Sequence, residues 1–298
     1  MNDGTPRATP EHDAKPPEVI GTVRAMRGLV GAAQRAGRRV GVVPTMGALH
    51  EGHLSLVAAS RAACDVTVVT IFVNPTQFGP NEDFARYPRT LEADLAKLAA
   101  AGVDYAFVPE VDEMYPADAA TMVEVAGVAE PLEGQCRPGH FRGVATIVLK
   151  LFQAVPADVA FFGQKDYQQS RVVRRMVADL LLPIDVVVCP IVRESDGLAL
   201  SSRNVYLSVD ERHRALSLSR ALQAAVELVA GGERNAAAIS GRMQTVLRDG
   251  GVDDIDYATV VDAETLLPLE EIASRAVALI ATRVGATRLI DNALLELP

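Results

Sequence analysis

The sequence predicts an α/β chain, with a Rossmann-like parallel sheet carrying helices on both faces and a smaller α+β C-terminal domain after it. Three observations predict this. Short β-branched apolar runs alternate with Ala/Leu-rich segments of helical period. The runs are almost continuously apolar, as strands covered on both faces must be. The alternation stops near Pro190.

The strand-like runs are 40–43, 66–73, 105–108, 159–162 and 184–188, and the helical segments 54–63, 91–101, 145–154 and 170–181 lie between them. Parallel strands need such crossovers, and their ligands gather beyond the carboxyl ends of the strands. Past Pro190, residues 209–250 read as two helices broken at Gly231-Gly232. Strand-like runs at 255–261 and 276–281 follow, with a third around 287–290. The organisation expected is therefore a disordered tail at 1–17, rich in Pro and charge, a main domain at 18–190 and a smaller one at 191–298.

The chain has 298 residues, enough to bury a core without disulfides or structural metals. Its net charge of −9 argues against a nucleic-acid footprint, which needs a basic face, but not against a bound nucleotide at a locally positive site. No apolar run approaches the roughly 18–20 residues of a membrane span, and no apolar stretch follows a basic one at the start, so neither membrane nor signal peptide is expected. The three cysteines, Cys64, Cys136 and Cys189, lack CxxC spacing and suit free thiols in a reducing, cytoplasmic compartment. Lysine is scarce, with Lys15, Lys97, Lys150 and Lys165 set against 25 arginines, and the histidines are His12, His50, His53, His140 and His213.

Five segments concentrate chemistry. In 43–57, VPTMGALHEGHLSLV, a strand turns into a helix that begins beside His50 and His53. Helix N-termini suit phosphate, and two imidazoles on one face could donate to its oxygens. The spacing is one residue short of the zinc pattern His-Glu-x-x-His. In 71–90, Asn74 and Gln77 follow a strand and can orient a polar acid without neutralising it; just beyond, Glu92 and Asp94 open the next helix as caps. In 132–148, Arg137 can pair with an anion, His140 reads as packing or capping, and Val144, Ile147 and Val148 share a helical spacing that suits core. In 161–169, FFGQKDYQQ, Gly163 permits close backbone approach and Lys165 is a point charge suited to phosphate. In 192–208, Ser201-Ser202-Arg203 groups two hydroxyls with a guanidinium. Taken singly, each segment has a plainer reading: a polar turn, an Asn-Pro loop, a solvated Lys–Asp pair or a Ser-rich linker. Lys15, Lys97, Lys150, His12 and His213 read as ordinary surface or tail positions.

Taken together, PTMGALHEGHLSLV, FVNPTQF, EGQCRPGHFRGV, FFGQKDYQQ and RESDGLALSSRNVYL resemble, in order, the motifs of the pantothenate synthetase (pantoate–β-alanine ligase) family, within the HIGH-motif nucleotidyltransferases. Leu200 stands where a Met is common, and Ala93 where some relatives carry a second acid. The resemblance implies an ATP-dependent ligase that joins pantoate to β-alanine through a pantoyl adenylate. It implies ATP contacts at Pro44, Thr45, Met46, Gly47, His50, His53, Gly163, Gln164, Lys165, Asp166, Val192, Leu200, Ser201, Ser202 and Arg203. Of these, His50, His53, Lys165, Ser201, Ser202 and Arg203 would be catalytic. Pantoate would meet Gln77, Gln169, Asn74 and Met46. Mg²⁺ would accompany ATP, with Asp94 a candidate ligand, and no organic prosthetic group is expected. The main domain would bind nucleotide and pantoate, the smaller one would act as a lid, and the protein would be a homodimer. The rivals are another nucleotidyltransferase of the superfamily and a nucleotide sensor without turnover.

Overall fold

The structure, a computed structural model, describes residues 15–79 and 84–297. Most of the expected tail, and His12 with it, lies outside them. The main body runs β1 (Glu18–Ile20), α1 (Val23–Arg35), β2 (Val40–Thr45), α2 (Glu51–Ala63), β3 (Val66–Ile71), α3 (Leu91–Ala100), β4 (Tyr105–Phe107), α4 (Val111–Met114), α5 (Glu133–Cys136), α6 (His140–Ala154), β5 (Val159–Gly163), α7 (Tyr167–Asp179) and β6 (Asp185–Cys189). Its six strands are all parallel, in the order β1-β4-β3-β2-β5-β6.

Alternation along the strands sorts the core into two layers. Val42, Val68 and Phe162 point to the face covered by α1, α6 and α7, where Met26, Ile147 and Val172 pack. Val43, Val69 and Phe161 point to the other, covered by α2 and α3 through Val57 and Leu98. Strand order reverses direction at β2: the chain leaves β2 for β3 on one side and returns to β5 on the other. The crevice at such a reversal, beyond the carboxyl ends of the strands, is where open α/β sheets bind ligands. Here the loops after β2 and β5 open into it, carrying His50 and Lys165.

The second body holds α8 (Val209–Ala230), α9 (Ala236–Asp249) and an antiparallel sheet of β7 (Asp254–Asp262), β8 (Ala276–Val284) and β9 (Thr287–Leu295). Its core joins Leu218, Ile239, Leu247, Val260 and Ile280, and Leu198 already belongs to it. Ser208 caps α8 reciprocally: its Oγ accepts from Glu211 N (3.3 Å), and Glu211 Oε2 accepts from Ser208 N (2.8 Å). The two bodies touch through Tyr167, whose hydroxyl donates to Ala263 O (2.8 Å), and through Arg288, which grips both oxygens of Glu133 at 2.7 Å. Burial would raise the Glu133 carboxyl, but Arg288 and the Tyr257 hydroxyl hold it below the usual range.

Four elements escaped the sequence reading, two of them the four-residue helices α4 and α5, too short to show a period. β1 has only three residues at the sheet edge, too few to show a period. α1 carries Gly28 and Gly31 among its 13 residues, which blurs a pattern resting on Met26 and Val30.

Candidate active site

The histidine loop is held in an unusual conformation from below. Thr45, at the end of β2, donates Oγ1 to Thr70 O (2.6 Å) and accepts from Gly47 N (3.2 Å). Gly47 and Ala48 then both take left-handed backbone, at φ 81° and 51°. Glycine does this freely and alanine with strain. The Asp94 carboxylate, only 1% exposed, fixes the pair: it accepts from Ala48 N (2.9 Å), Leu49 N (2.8 Å) and Thr90 Oγ1 (3.2 Å). Lys97, one turn along α3, donates to Leu49 O at 2.5 Å. Asp94, expected as a candidate metal ligand, is therefore the anchor of this loop. Three donors take three of its roughly four lone-pair sites, so a cation would have to displace loop contacts to be held by more than one of them. Lys97, expected as plain surface, supports the same loop. Lys150 is half-buried, donating to Met114 O (2.7 Å) over the Tyr115 ring.

So held, the loop delivers His50 as N-cap of α2 and His53 on its first turn, ring centroids 4.1 Å apart. His50 Nδ1 accepts from Gly52 N (3.1 Å) and His53 Nδ1 from His50 N (3.3 Å). An accepting Nδ1 puts the proton of each neutral ring on Nε2. Burial, with Lys165 and Lys97 nearby, lowers His50 to about 4. Burial, His50 and the same lysines lower His53 to about 3. At neutral pH the site thus presents two uncharged Nε2–H donors.

Asn74 organises the facing loop. It is 1% exposed, and its Oδ1 accepts from Tyr115 OH (2.9 Å) and Thr76 Oγ1 (3.0 Å). Its Nδ2 donates to Gln77 Oε1 (3.1 Å) and Gly143 O (3.2 Å). That exhausts a carboxamide. Asn74 borders the cavity but holds Gln77 where a direct contact to pantoate was expected of it. Gln77, its Oε1 committed, turns Nε2 toward Met46 Sδ (3.0 Å). Arg137 Nη1 donates to His140 Nε2 (3.1 Å), so His140 Nδ1–H donates to Gln77 O (2.9 Å). His140 is thus a support of the loop. Gly143 lets α6 come this close, since a Cβ there would lie 2.3 Å from Thr76 O.

Beyond β5, Gly163, Lys165 and Asp166 face the cavity, and of the glutamine pair Gln169 faces it too. Gln168 turns away, buried, accepting from Glu133 N (3.0 Å) and donating to Val128 O (2.9 Å) and Pro131 O (2.7 Å). Residues 192–200 form a tight loop closed by Leu200 N to Val192 O (3.0 Å), from which Ser201 caps the short turn at Ser202–Tyr206.

These walls enclose a cavity of about 230 Å3. Of the expected residues it gathers Pro44, Thr45, Met46, His50, His53, Asn74, Gln77, Gly163, Lys165, Asp166, Gln169, Val192, Leu200, Ser201, Ser202 and Arg203. Val144, Ile147 and Val148 form part of its wall. Gly47 and Gln164 do not line it: Gly47 packs on Asp94, and Gln164 turns to Asn292 (3.2 Å). A second cavity of about 550 Å3, between the two bodies, shares Arg137, Lys165, Asp166, Ser201 and Arg203. The sequence reading missed Asn292 and Tyr115. A polar Asp291-Asn292 pair inside an apolar strand was the available signal for the first.

The Pantoate-beta-alanine ligase family profile matches residues 18–294. A pantothenate synthetase of Moorella thermoacetica is 56% identical over 279 residues, covering 94% of this chain and 99% of that protein. The crystal structure of pantothenate synthetase from Thermus thermophilus superposes with a TM-score of 0.88 at 48% identity, over 93% of this chain and 98% of that one. A pantoate-β-alanine ligase from Francisella tularensis, complexed with β,γ-ATP and β-alanine, superposes with a TM-score of 0.77 at 32% identity, over 93% and 97%.

Proposed function

The chain belongs to the pantoate–β-alanine ligase family, and from that premise we propose how its residues carry the family's reaction. It condenses pantoate with β-alanine to pantothenate at the expense of ATP. A pantoate carboxylate oxygen attacks the α-phosphorus, and the bond to pyrophosphate breaks. The β-alanine nitrogen then attacks the acyl carbon of the adenylate, loses a proton, and AMP leaves.

The observation that carries the assignment of roles is the neutral histidine pair beside Lys165 at the switch point of the sheet. His50 and His53 donate Nε2–H to phosphate oxygens as charge builds on them, while Lys165 adds a positive charge and Ser201, Ser202 and Arg203 take the departing pyrophosphate. Pro44, Met46, Gly163, Asp166, Val192 and Leu200 border the nucleotide. Gln77 and Gln169 hold pantoate with neutral amides beside the apolar Met46, so its carboxylate stays nucleophilic. No protein nucleophile is required.

A divalent cation, Mg²⁺ in our reading, would arrive with ATP and neutralise its phosphates. Among the described residues no group of three or more His, Cys, Asp or Glu could hold a metal ion. In this reading the cation is coordinated mainly by phosphate oxygens and water, and Asp166 is the acid among the residues lining the cavity.

We also propose that the chain divides near residue 190 into a substrate-binding domain and a lid, which Leu198 supports by packing in the second core. The homodimer implied by the family resemblance is part of the same reading. So is a cytoplasmic site, supported by the free thiols of Cys64, Cys136 and Cys189. No described helix is long and apolar enough to cross a membrane.

Exchange of labelled pyrophosphate into ATP tests the assignment. Exchange should require pantoate, and His50→Ala should slow it by about 100-fold or more with the circular dichroism unchanged. Exchange without pantoate would indicate another nucleotidyltransferase; none at all, with ATP still bound, would indicate a sensor. A near-normal rate in His50→Ala would remove that residue from the mechanism.

A further inference from the structure

Asp291 and Asn292 are consecutive in β9, far from every motif, and are 3% and 2% exposed. Both are committed to the active-site loops of the other body and of the 192–200 segment. Asn292 Nδ2 donates to the backbone carbonyls of Gln164 and Lys165, each at 3.0 Å, and Oδ1 accepts from Gln164 Nε2 (3.2 Å). Asp291 takes both Nη atoms of Arg193, at 2.7 and 3.0 Å, while Arg193 Nη1 also donates to Gly197 O (3.1 Å). Asp291 Oδ1 further accepts from the Asn292 backbone N–H (2.8 Å), which fixes the Asp291 carboxylate to the strand beside Asn292.

A strand required only to pack would carry apolar residues here, because burying an amide and a carboxylate costs free energy unless every group is matched. These are matched, and by the backbone of one catalytic turn and the arginine of the other. Arg193 lies in the loop that ends in Ser201-Ser202-Arg203, and its backbone bridges Ala199. One dipeptide therefore joins two segments that both line the cavity, one through Lys165 and the other through Ser201, Ser202 and Arg203. The side chains themselves do not line the main cavity.

We propose that Asp291 and Asn292 are positioning residues for adenylate formation, setting the distance between Lys165 and the Ser201–Arg203 segment across the triphosphate. The inference rests on the phosphate-binding roles given above. Position 292 needs donors: Asn292→Asp would set a carboxylate against two carbonyl oxygens at the same shape.

A double-variant cycle on the full chain, read by pantoate-dependent pyrophosphate exchange, tests it. Asn292→Ala and Asn292→Asp should each slow exchange about 10- to 100-fold, as expected for a catalytic group displaced by about an ångström. The KM for ATP or the kcat should carry the loss, with calorimetric pantoate affinity changed less than about twofold. Because Asn292 acts through Lys165, Lys165→Ala/Asn292→Ala should be no more than about twofold slower than Lys165→Ala. Multiplying losses in the double variant, a wild-type rate in either Asn292 variant, or an equal loss of pantoate binding would overturn the proposal. A normal rate in Lys165→Ala alone would overturn the phosphate-site reading beneath it. If Asn292→Ala does not fold, Asn292→Ser, which keeps one donor, enters the same cycle with the same supporting and overturning results.

Discussion

Replacing Asp94 by alanine separates an anchor from a metal ligand. The substitution leaves Ala48 N and Leu49 N, now bonded at 2.9 and 2.8 Å, without their acceptor inside the protein. Each unmatched N–H out of reach of water costs about 1–3 kcal/mol, so the folded state should lose about 2–6 kcal/mol, toward the lower end because Ala48 is only half-buried. Ala48, at φ 51°, stores about 1 kcal/mol or more of backbone strain, and the freed loop relaxes away from it. Relaxation carries the N-cap His50 with it, and a displacement near 1 Å costs about 100-fold in rate. Urea unfolding reads the first effect and pyrophosphate exchange, titrated with Mg²⁺, the second. The half-saturating Mg²⁺ concentration should stay where it is in the unaltered protein. A variant of unaltered stability that needs far more Mg²⁺ would refute the anchoring argument and restore Asp94 as a ligand.

Gly143→Ala forces a Cβ to within 2.3 Å of Thr76 O, so α6 or the glutamine loop must move; about 1–3 kcal/mol of stability should be lost, with KM for pantoate rising more than KM for ATP. Gln77→Glu places a negative charge against the acid substrate, and steady-state kinetics should show pantoate KM raised about tenfold or more. His50 and His53 are held near 4 and 3, below the ordinary 6.5. Between pH 6.5 and 4 the unfolded chain therefore binds protons the folded chain does not, and stability must fall as the pH falls through that window. The slope from each histidine is at most about 1.4 kcal/mol per pH unit. Urea midpoints measured across the window should be flatter in His50→Asn/His53→Asn.

Much of the main sheet was legible because parallel strands buried on both faces announce themselves as apolar runs. Runs 40–43 and 159–162 lie within β2 and β5. The three-residue β1 left no such mark. The residues of the cavity were legible as types at strand ends, and their roles were legible only where role follows from type. A lysine after a strand reads as a phosphate partner. A buried carboxamide or carboxylate does not reveal from sequence whether it meets a ligand or the backbone of its own protein. Asp94 and Asn74 were read as ligand contacts for that reason, and Asn292, 128 residues from Gln164, could not be connected to it at all. Local propensity carries elements, whereas support between segments far apart in sequence is a property of the folded contacts.

The central claim is attack by the pantoate carboxylate on the α-phosphorus of ATP, with the resulting mixed anhydride later cleaved by β-alanine at its acyl carbon. Pantoate labelled with ¹⁸O in its carboxylate tests this in one turnover, with products read by mass spectrometry. The account predicts one labelled oxygen in AMP, one retained in the pantothenate amide and none in pyrophosphate. Label absent from AMP, or present in inorganic phosphate or pyrophosphate, would contradict it.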